Sequence, residues 1–570
     1  SMSKKNGTGK QQSVLFSQAE ISKLLESVPS NLRAYIDSLQ NQISNMSAIG
    51  LGLSKEKDMD KLLEMILLEA KRIANADGGT LYMMTDDQRL KFTIMITDSL
   101  NIHMGGTSGK EIPFYPVKLY MDDGQPNKTM IAANAGLTGD TINIPDAYTT
   151  KGFDFSGTKA FDEKTGYRSK SFLTVPLKNH EAEIIGVLQL LNAQDVKTKK
   201  VISFSDSVQI SVEALSSQAA VAITNKNLIK DLEVLFESFI KLIASAIDAK
   251  SPYTGGHCAR VPEITLMLAE SVNEINDGPF AGVQFTDKEM YELKIAAWLH
   301  DCGKVTTPEA VVDKGTKLET IYDRIHTVAT RFEVLRRDEE IKYLKKQLKI
   351  QKDDSLIENE KKEALKKARS LYLKRIKQQE DDKSFIEEAN VGGEFMSQER
   401  KDRVNKIASY RWKDNGSPKP FFSEDEVYNL CISRGTLTPE ERKIINDHIV
   451  VTIDMLEQLP YPKHLRNVPE FAGGHHEKLD GTGYPKGLNH SEMSVQAKIM
   501  AIADIFEALT ARDRPYKKGK TLSQAMRILG FMKNDAHIDT ELFEVFVQEK
   551  IYLKYAEAFL NPEQIDEVEL

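Results

Sequence analysis

The spacing of hydrophobic residues in the first half of the chain changes repeatedly between helical and strand periods. Helical spacing over residues 59–76 precedes the first strand signals, and a second helical pattern begins at Asp206. Between them, four apolar runs bounded by turn residues have strand character: 79–84, 90–95, 171–177 and 184–191. A Ser cap with a Glu three residues later, within residues 16–21, predicts a further helix. The pattern therefore predicts an α+β domain, a sheet flanked by helices.

A heptad repeat leads from this domain into the second half of the chain. Val221, Leu228, Leu235 and Leu242 recur every seven residues. Polar Asn225 lies within the same seam, and one such residue can fix the register of a parallel dimer. The repeat predicts a homodimer joined by a short coiled coil. The alternative is a single amphipathic helix that packs on its own domain.

A charged segment over residues 318–435 interrupts the second half. Its centre, 338–388, is rich in Lys, Glu and Asp and contains no Gly or Pro, so we expect long solvated helices instead of a core. The insertion could regulate, contact a partner protein or only decorate the surface. Similar sequences that begin near Leu318 and Leu437 suggest a diverged local duplication.

Composition excludes several classes of protein. The 570 residues are too many for one core, which predicts a multidomain chain. A net charge of -8 gives no reason to expect DNA or RNA binding. Three cysteines without metal-type spacing favour a reducing cytoplasm. Since no run of 18 or more apolar residues occurs, we expect no membrane span.

The α+β segment resembles a GAF domain, a sensory module for small ligands, over roughly residues 55–225. The resemblance depends on residues 165–171 (TGYRSKS) and on the strand 186–192 (GVLQLLN). GAF domains that bind cyclic nucleotides carry an Asn-Lys pair and later an acidic pair. Here Ala193 follows Asn192, and Ser207-Val208 replace the acids, which puts cyclic-nucleotide binding in doubt. The small ligand of this domain is unknown, and a role in packing or dimerisation alone is the alternative.

Histidine and aspartate concentrate in the second half, in contexts that suit metal binding. His300 and Asp301 are adjacent at the end of an apolar helix, 290–299, and a carboxylate can bridge two ions where an imidazole cannot. Asp504 lies in an otherwise apolar helix, where an unpaired carboxylate would be costly to bury. His475 and His476 precede a tight Gly- and Pro-containing loop.

Together with His257, these residues resemble the ligands of the HD phosphohydrolases, and residues 475–485 (HHEKLDGTGYP) resemble the signature of the HD-GYP family. The resemblance implies an all-α catalytic domain with two divalent metal ions and a hydroxide nucleophile between them. Iron or manganese is expected first, with nickel, cobalt or zinc as alternatives. The implied ligands are His257, His300, Asp301 and Asp504 for one ion, and shared Asp301 with His448, His475 and His476 for the other.

The resemblance also implies substrate contacts. Lys304 would lie at the scissile phosphate, Arg514 and Lys517 would contact phosphate, and Tyr484 would stack on a base or face a partner protein. Asp301 and Lys304 are the expected catalytic residues.

Some residues leave choices open or depart from the family. The local duplication makes His326 a rival to His448, but His448 falls in the family-like segment 437–448 (LTPEERKIINDH) and is preferred. Tyr253 stands where some members have a Glu that binds a third metal, so two metals are expected. Cys258 and Cys302 are interpreted as small packing residues.

The leading hypothesis is a phosphodiesterase that hydrolyses cyclic di-GMP to linear pGpG or GMP under control of the GAF domain. The alternatives are another substrate, such as cyclic GMP-AMP, and a receptor without turnover that binds a cyclic dinucleotide or a protein partner through the GYP loop or the insertion. The expected boundaries are 1–54 for a flexible N-terminus and helix, 55–225 for the GAF-like domain, 226–249 for a connecting helix, 250–550 for the catalytic domain with its insertion at 318–435, and 551–570 for a C-terminal tail.

Overall fold

The computed structural model describes residues 29–250, 255–511 and 519–569. The capping box predicted at residues 16–21, and the residues Tyr253, Arg514 and Lys517, lie outside this range. The chain divides into two compact units, Ser1–Val234 and Leu235–Leu570.

The first unit is an antiparallel sheet with helices, as its hydrophobic pattern predicts. Its strands are β1 Ala76–Met84, β2 Arg89–Thr97, β3 Ile102–Gly105, β4 Val117–Lys118, β5 Ile142–Ile144, β6 Phe172–Lys178, β7 Ile184–Gln194 and β8 Val201–Ile202. Its helices are α1 Ser30–Lys55, α2 Met59–Ala74, α3 Ile131–Thr138 and α4 Ser156–Thr165. The sheet order is β3-β2-β1-β7-β6-β5, with β4 paired to β2 and β8 to β7. The four predicted strands are its central members.

Asn192, which is followed by Ala193 instead of the Lys of cyclic-nucleotide-binding GAF domains, has a structural role. Its side-chain oxygen accepts hydrogen bonds from the backbone of Lys170 (2.7 Å) and Ser171 (3.2 Å). Its amide nitrogen donates to the hydroxyl of Tyr167 (2.9 Å) and the carbonyl of Arg168 (2.8 Å). These bonds use the polar atoms of the Asn192 side chain to hold the segment before β6.

Helix α5 runs without interruption over Asp206–Lys250 and contains the whole heptad repeat. The four seam residues Val221, Leu228, Leu235 and Leu242 are exposed in the single chain, by 46% to 63%. An exposed stripe of this kind is what a coiled-coil partner would cover. Homodimerisation through this seam stays a prediction.

The second unit is helix-rich. Its helices are α6 His257–Glu274, α7 Asp287–Leu299, α8 Glu309–Val312, α9 Ile325–Gln351, α10 Glu358–Val391, α11 Gln398–Ala408, α12 Glu424–Leu430, α13 Pro439–Asn446, α14 His448–Glu457, α15 Val468–Gly473, α16 Val495–Thr510, α17 Leu522–Asn534, α18 Thr540–Gln548 and α19 Ile551–Phe559. The main core packs α6, α7, α15 and α16 together, with Leu268, Leu293 and Phe506 fully buried between them. Ile240 and Ala244 from the last turns of α5 belong to the same core.

The insertion differs from the expectation of solvated helices without a core. Helices α9 and α10 are long, as predicted, and they pack as antiparallel neighbours. Other residues of the insertion form a separate hydrophobic cluster. Phe332, Phe385 and Phe421 are buried in it, and a short hairpin of β9 Arg411–Asp414 and β10 Ser417–Pro420 lies beside it. The core was missed because its apolar residues are far apart in the sequence, and Phe385 and Ile386 lie within the charged stretch 338–388.

The segment expected to be a C-terminal tail is also different. Residues Ile551, Tyr555 and Ala556 of α19 are fully buried in the main core. Gln564 donates hydrogen bonds from its amide to the carbonyl oxygens of Thr510 (2.9 Å) and Lys520 (3.2 Å). The end of the chain therefore packs as part of the helical unit. Among the residues described, no helix is long and apolar enough to cross a membrane.

Candidate metal centre

Helix ends in the second unit bring the predicted ligands to one place. His257 and His448 are the first residues of α6 and α14, and His300 follows the last residue of α7. A capping box between Thr286 and Glu289 fixes the start of α7. The remaining ligands are placed by α15 and α16: His475 and His476 follow the former, and Asp504 lies in the middle of the latter.

The ligand atoms form groups with the dimensions of metal sites. His257, His300 and Asp504 form one group, and His448, His475 and His476 form another; within each group the candidate ligand atoms lie within 4.8 Å of one another. His326 is exposed at the start of α9 and belongs to neither group. The structure therefore brings His448, and not its rival, to the cluster.

Asp301 lies between the two groups. Its Oδ2 atom is 3.2 Å from Nε2 of His257 and 3.3 Å from Nε2 of His300. Its Oδ1 atom is 3.2 Å from Nε2 of His448. Because each carboxylate oxygen faces a different group, Asp301 has the geometry of a bridging ligand.

Hydrogen bonds on the far side of the rings set the direction of the imidazoles. The Nδ1 atoms of His300 and His475 donate to the carbonyl oxygens of Ala297 (2.8 Å) and Ala472 (2.6 Å). His448 makes the same bond to Ile445, three residues earlier. With Nδ1 protonated in this way, the Nε2 lone pair of each ring points into the cluster.

The donor set fits metal ions. The Nε2 atoms of His448 and His475 are buried and have no hydrogen-bond partner among the described residues. Nε2 of His257 and Nε2 of His300 face each other at 3.3 Å. Buried nitrogen lone pairs left in this state are costly, and a divalent cation that accepts them removes the cost.

The two groups differ in charge. Burial lowers the pKa of His475 well below its usual value, and neighbouring His476 and His300 lower it further. Burial likewise lowers the pKa of His476, to about 4. Burial would raise the pKa of Asp301, but Lys304 and His300 outweigh it and hold that pKa well below its usual value. His475 and His476 are thus neutral and Asp301 is ionised, the forms that bind metal. In the other group burial lowers the pKa of both histidines, but carboxylates outweigh it: Asp301 and Asp504 raise the pKa of His300 to about 9, and Glu507 with these two raises that of His257.

Lys304 and Tyr484 lie beside the cluster. The ammonium of Lys304 donates to Oδ2 of Asp301 at 2.5 Å. The carboxylates of Asp301 and Asp504 keep it charged, since they raise its pKa although burial lowers it. The ring of Tyr484 stacks on His476 with centroids 4.9 Å apart.

The tight loop around Tyr484 is held by Glu477, which the sequence did not single out. This buried carboxylate accepts backbone hydrogen bonds from Lys486 (2.7 Å) and Leu488 (2.9 Å). A Cβ at Gly483 would lie 2.3 Å from the backbone nitrogen of Lys478, so only glycine allows this close approach. The loop is therefore fixed directly beside His476.

A second carboxylate, Glu507, was also missed. It is fully buried, accepts a hydrogen bond from Nδ1 of His257, and is paired with Arg260 through Nε at 2.7 Å. Carboxylates in this position orient a ligating histidine and raise its basicity. The available signal was spacing: Glu507 lies three residues after Asp504, and Arg260 three after His257, on the same helix faces.

Replacing Glu507 with glutamine is expected to weaken metal binding by about 10- to 100-fold, because the neutral amide no longer polarises His257. Calorimetric titration of metal-free protein with Mn²⁺ measures the affinity. Glu457→Gln, on the exposed surface of α14, is the matched control. Equal affinities in the two variants would show that Glu507 does not act on the centre.

The two predicted packing cysteines are buried beside the ligands. Burial raises the pKa of the Cys302 thiol to about 11, so it is neutral at pH 7. This state agrees with a packing role.

Family models match the chain in three places. A model described as HD domain matches residues 254–386, a second HD domain model matches 422–542, and a model described as GAF domain matches 58–223. The insertion, 318–435, begins within the first HD match and ends within the second.

Parts of the chain are similar to known proteins. A 3′3′-cGAMP-specific phosphodiesterase 1 from Vibrio cholerae is 42% identical over 81 residues, 14% of this chain and 19% of the relative. A cyclic di-GMP phosphodiesterase from Thermotoga maritima is 35% identical over 119 residues, 21% of this chain and 32% of the relative. The chain thus spans a fifth to a third of the curated relatives it matches. The solved GAF domain of an Acinetobacter phosphoenolpyruvate-protein phosphotransferase is 15% identical, with a TM-score of 0.25, and covers 33% of this chain and 97% of that domain.

The fold and the ligand cluster define the second unit as an HD domain. The Gly483-Tyr484-Pro485 motif beside the cluster, together with relatives named as cyclic dinucleotide phosphodiesterases, identifies this HD domain as the HD-GYP type, preceded by a GAF domain. The predicted domain classes are confirmed.

Proposed function

We propose that the HD-GYP domain hydrolyses a 3′,5′-phosphodiester bond of a cyclic dinucleotide, with cyclic di-GMP as the first candidate and linear pGpG or GMP as the product. The observation that carries the proposal is the position of Asp301, with one carboxylate oxygen facing His257 and His300 and the other facing His448. Two metal sites that share a carboxylate are suited to in-line displacement at phosphorus.

The residues for two ions are present. His257, His300, Asp301 and Asp504 would hold one, and Asp301 with His448, His475 and His476 the other. When bound, divalent ions supply Lewis acidity that lowers the pKa of water and stabilises negative charge on phosphate oxygens. We propose iron or manganese, because a mixed set of imidazole and carboxylate ligands suits these ions.

Lys304 would neutralise the phosphate that reacts. Its ammonium lies on Asp301 at 2.5 Å, and its side chain is still 26% exposed, so it can also reach a ligand from solvent. A positive charge at this point stabilises the extra negative charge of the transition state.

Tyr484 would hold a base. Its ring already stacks on His476, and the loop anchored by Glu477 fixes its position. Aromatic rings bind nucleobases by stacking, without hydrogen bonds that read the base. Arg514 and Lys517 remain proposed phosphate contacts by family resemblance.

A panel of substrates tests the proposal. Protein loaded with Mn²⁺ or, without oxygen, Fe²⁺ is incubated with cyclic di-GMP, 3′3′-cyclic GMP-AMP and a linear dinucleotide, and products are resolved by chromatography. Turnover of cyclic di-GMP is expected. Turnover of cyclic GMP-AMP alone would favour the alternative substrate, for which two Vibrio cholerae relatives are named. Binding of a cyclic dinucleotide without turnover would instead indicate a receptor.

We propose that the GAF domain senses a small ligand without phosphate. The domain contains a cavity of about 530 Å³ lined by aromatic side chains, among them Tyr82, Phe92 and Phe155. Over the described residues, its lining includes no Lys, Arg or His. A phosphate enclosed there would lose water without gaining a counter-charge, which is strongly unfavourable.

Cyclic GMP and cyclic AMP are therefore expected not to bind the GAF domain. Calorimetric titration of the full chain with each mononucleotide should give no heat of binding at 1 mM ligand. A Kd of 1 mM corresponds to a binding free energy of about −4 kcal/mol, so the binding is expected to be weaker than that. Substituting Asn192 is not a suitable control, because its side chain holds the segment before β6. Saturable binding of either nucleotide, lost on substitution of Phe155, would contradict the expectation.

A further inference from the structure

The last turn of α5 contacts two of the three segments that carry the candidate ligands His257, His300 and Asp504. Asp248 contacts the start of α6, which begins at His257, and Lys250 contacts the residues after His300 and Asp301. Neither residue bonds to a candidate ligand side chain in these contacts.

Lys250 closes the end of the short 3₁₀ helix Cys302–Thr306, which follows Asp301 directly. Its ammonium donates to the carbonyl oxygens of Lys304 (3.1 Å), Val305 (2.5 Å) and Thr307 (2.6 Å). Carbonyl groups at the end of a helix lack partners within the helix, and a lysine can satisfy them. The Lys250 side chain thus fixes the backbone of the segment that carries Lys304.

Asp248 holds the start of α6. Its carboxylate accepts hydrogen bonds from the backbone nitrogen atoms of Gly256 (3.0 Å) and Cys258 (3.4 Å). Free N–H groups at a helix N-terminus favour a negative charge. Since His257 lies between the two bonded residues, Asp248 fixes the backbone of this ligand.

The two sets of hydrogen bonds together fix the rotation of α5 about its axis. Residues two positions apart on a helix point to different sides. Asp248 and Lys250 therefore reach two segments on different sides of the same helix end. Rotation of α5 about its axis cannot preserve both sets of hydrogen bonds.

We propose that Asp248 and Lys250 are positioning residues that set the distance between the His257 segment and the His300-Asp301 segment, and so control metal affinity. Because α5 begins in the unit that contains the GAF domain, a ligand-dependent movement of this helix would reach the metal centre through these two side chains. The regulatory part of this proposal rests on the proposed function; the control of metal affinity does not.

The test is a Mn²⁺ titration of the metal-free full chain, followed by calorimetry, for Lys250→Met, Lys250→Arg and Lys230→Met. Lys250→Met keeps the aliphatic stem but removes the donors, and is expected to bind Mn²⁺ about tenfold more weakly or worse. Lys250→Arg should restore the affinity to within about threefold of the wild type, because the guanidinium also donates to several carbonyls. Lys230→Met, an exposed position of the same helix, should match the wild type.

Kinetics separate positioning from general damage. The Mn²⁺ concentration for half-maximal turnover should rise by the same factor in Lys250→Met, while KM for the cyclic dinucleotide and kcat at saturating Mn²⁺ stay within about threefold. Wild-type Mn²⁺ affinity in folded Lys250→Met would overturn the proposal, as would a loss of kcat that Mn²⁺ does not restore. If Lys250→Met does not fold, Asp248→Asn decides in its place, with the same expected and contradicting results.

Failure of the proposed function gives a different pattern. A wild-type protein that binds Mn²⁺ but hydrolyses no cyclic dinucleotide would refute the phosphodiesterase. The calorimetric comparison of the Lys250 variants would still decide the positioning role.

Discussion

Replacement of Asp301 with asparagine is expected to lower the hydrolysis of the cyclic dinucleotide at least about 10³-fold, the equivalent of about 4 kcal/mol of transition-state stabilisation. Asp301 is 2% exposed, and its two oxygens face His257 and His300 on one side and His448 on the other. Asparagine has nearly the same shape but carries no charge. Its amide nitrogen has no lone pair to offer a metal ion in place of the second carboxylate oxygen. Steady-state rates at saturating Mn²⁺, with metal content measured on the same sample, give the result.

Asp454→Asn, on the exposed side of α14, is the matched control and should keep wild-type rates. A folded Asp301→Asn variant with wild-type turnover would remove Asp301 from the bridging position. Loss of one metal equivalent with full turnover would show that one ion is enough.

Replacement of Gly303 with alanine is expected to reduce turnover by at least about 100-fold and to destabilise the protein by about 1–3 kcal/mol, the usual range for an overpacked position. A Cβ atom at Gly303 would lie 2.0 Å from the carbonyl oxygen of His448 and 2.6 Å from the backbone nitrogen of Thr452. These are backbone atoms at the start of α14, so the Cys302–Thr306 segment must move away. The movement would separate Asp301 from His448.

Gly282→Ala is the control, because a Cβ atom there meets no atom within 4 Å and its φ angle is ordinary. Urea unfolding and turnover are measured for both variants. If Gly303→Ala has the rates and metal affinity of the control, the contact between this segment and α14 is not needed for the centre.

Local patterns in the sequence were enough for much of the fold. The strand runs at 79–84 and 184–191 became β1 and β7, because alternation and flanking turn residues determine a strand with few contacts from elsewhere. The candidate ligands could also be named from the sequence by the family resemblance, because His300-Asp301 and His475-His476 are adjacent pairs within recognisable motifs. The structure brings these residues together with His257, His448 and Asp504.

Residues that act through distant partners could not be predicted. Glu507 and His257 are 250 positions apart, and Lys250 lies 55 positions from its bond to Val305. In the sequence, Lys250 has the appearance of any charged residue at the end of a helix. The insertion core was missed for the same reason, because Phe332 and Phe421 meet only after the chain has folded.

We propose that this HD-GYP domain is a two-metal phosphodiesterase, and one titration tests this most directly. Metal-free protein, prepared with a chelator and kept without oxygen, receives Mn²⁺ in steps while the hydrolysis of cyclic di-GMP is followed by chromatography. We expect no turnover before Mn²⁺ is added and a rate that saturates when two equivalents are bound. Turnover in the metal-free protein, or no turnover at any Mn²⁺ or Fe²⁺ concentration, would contradict the claim.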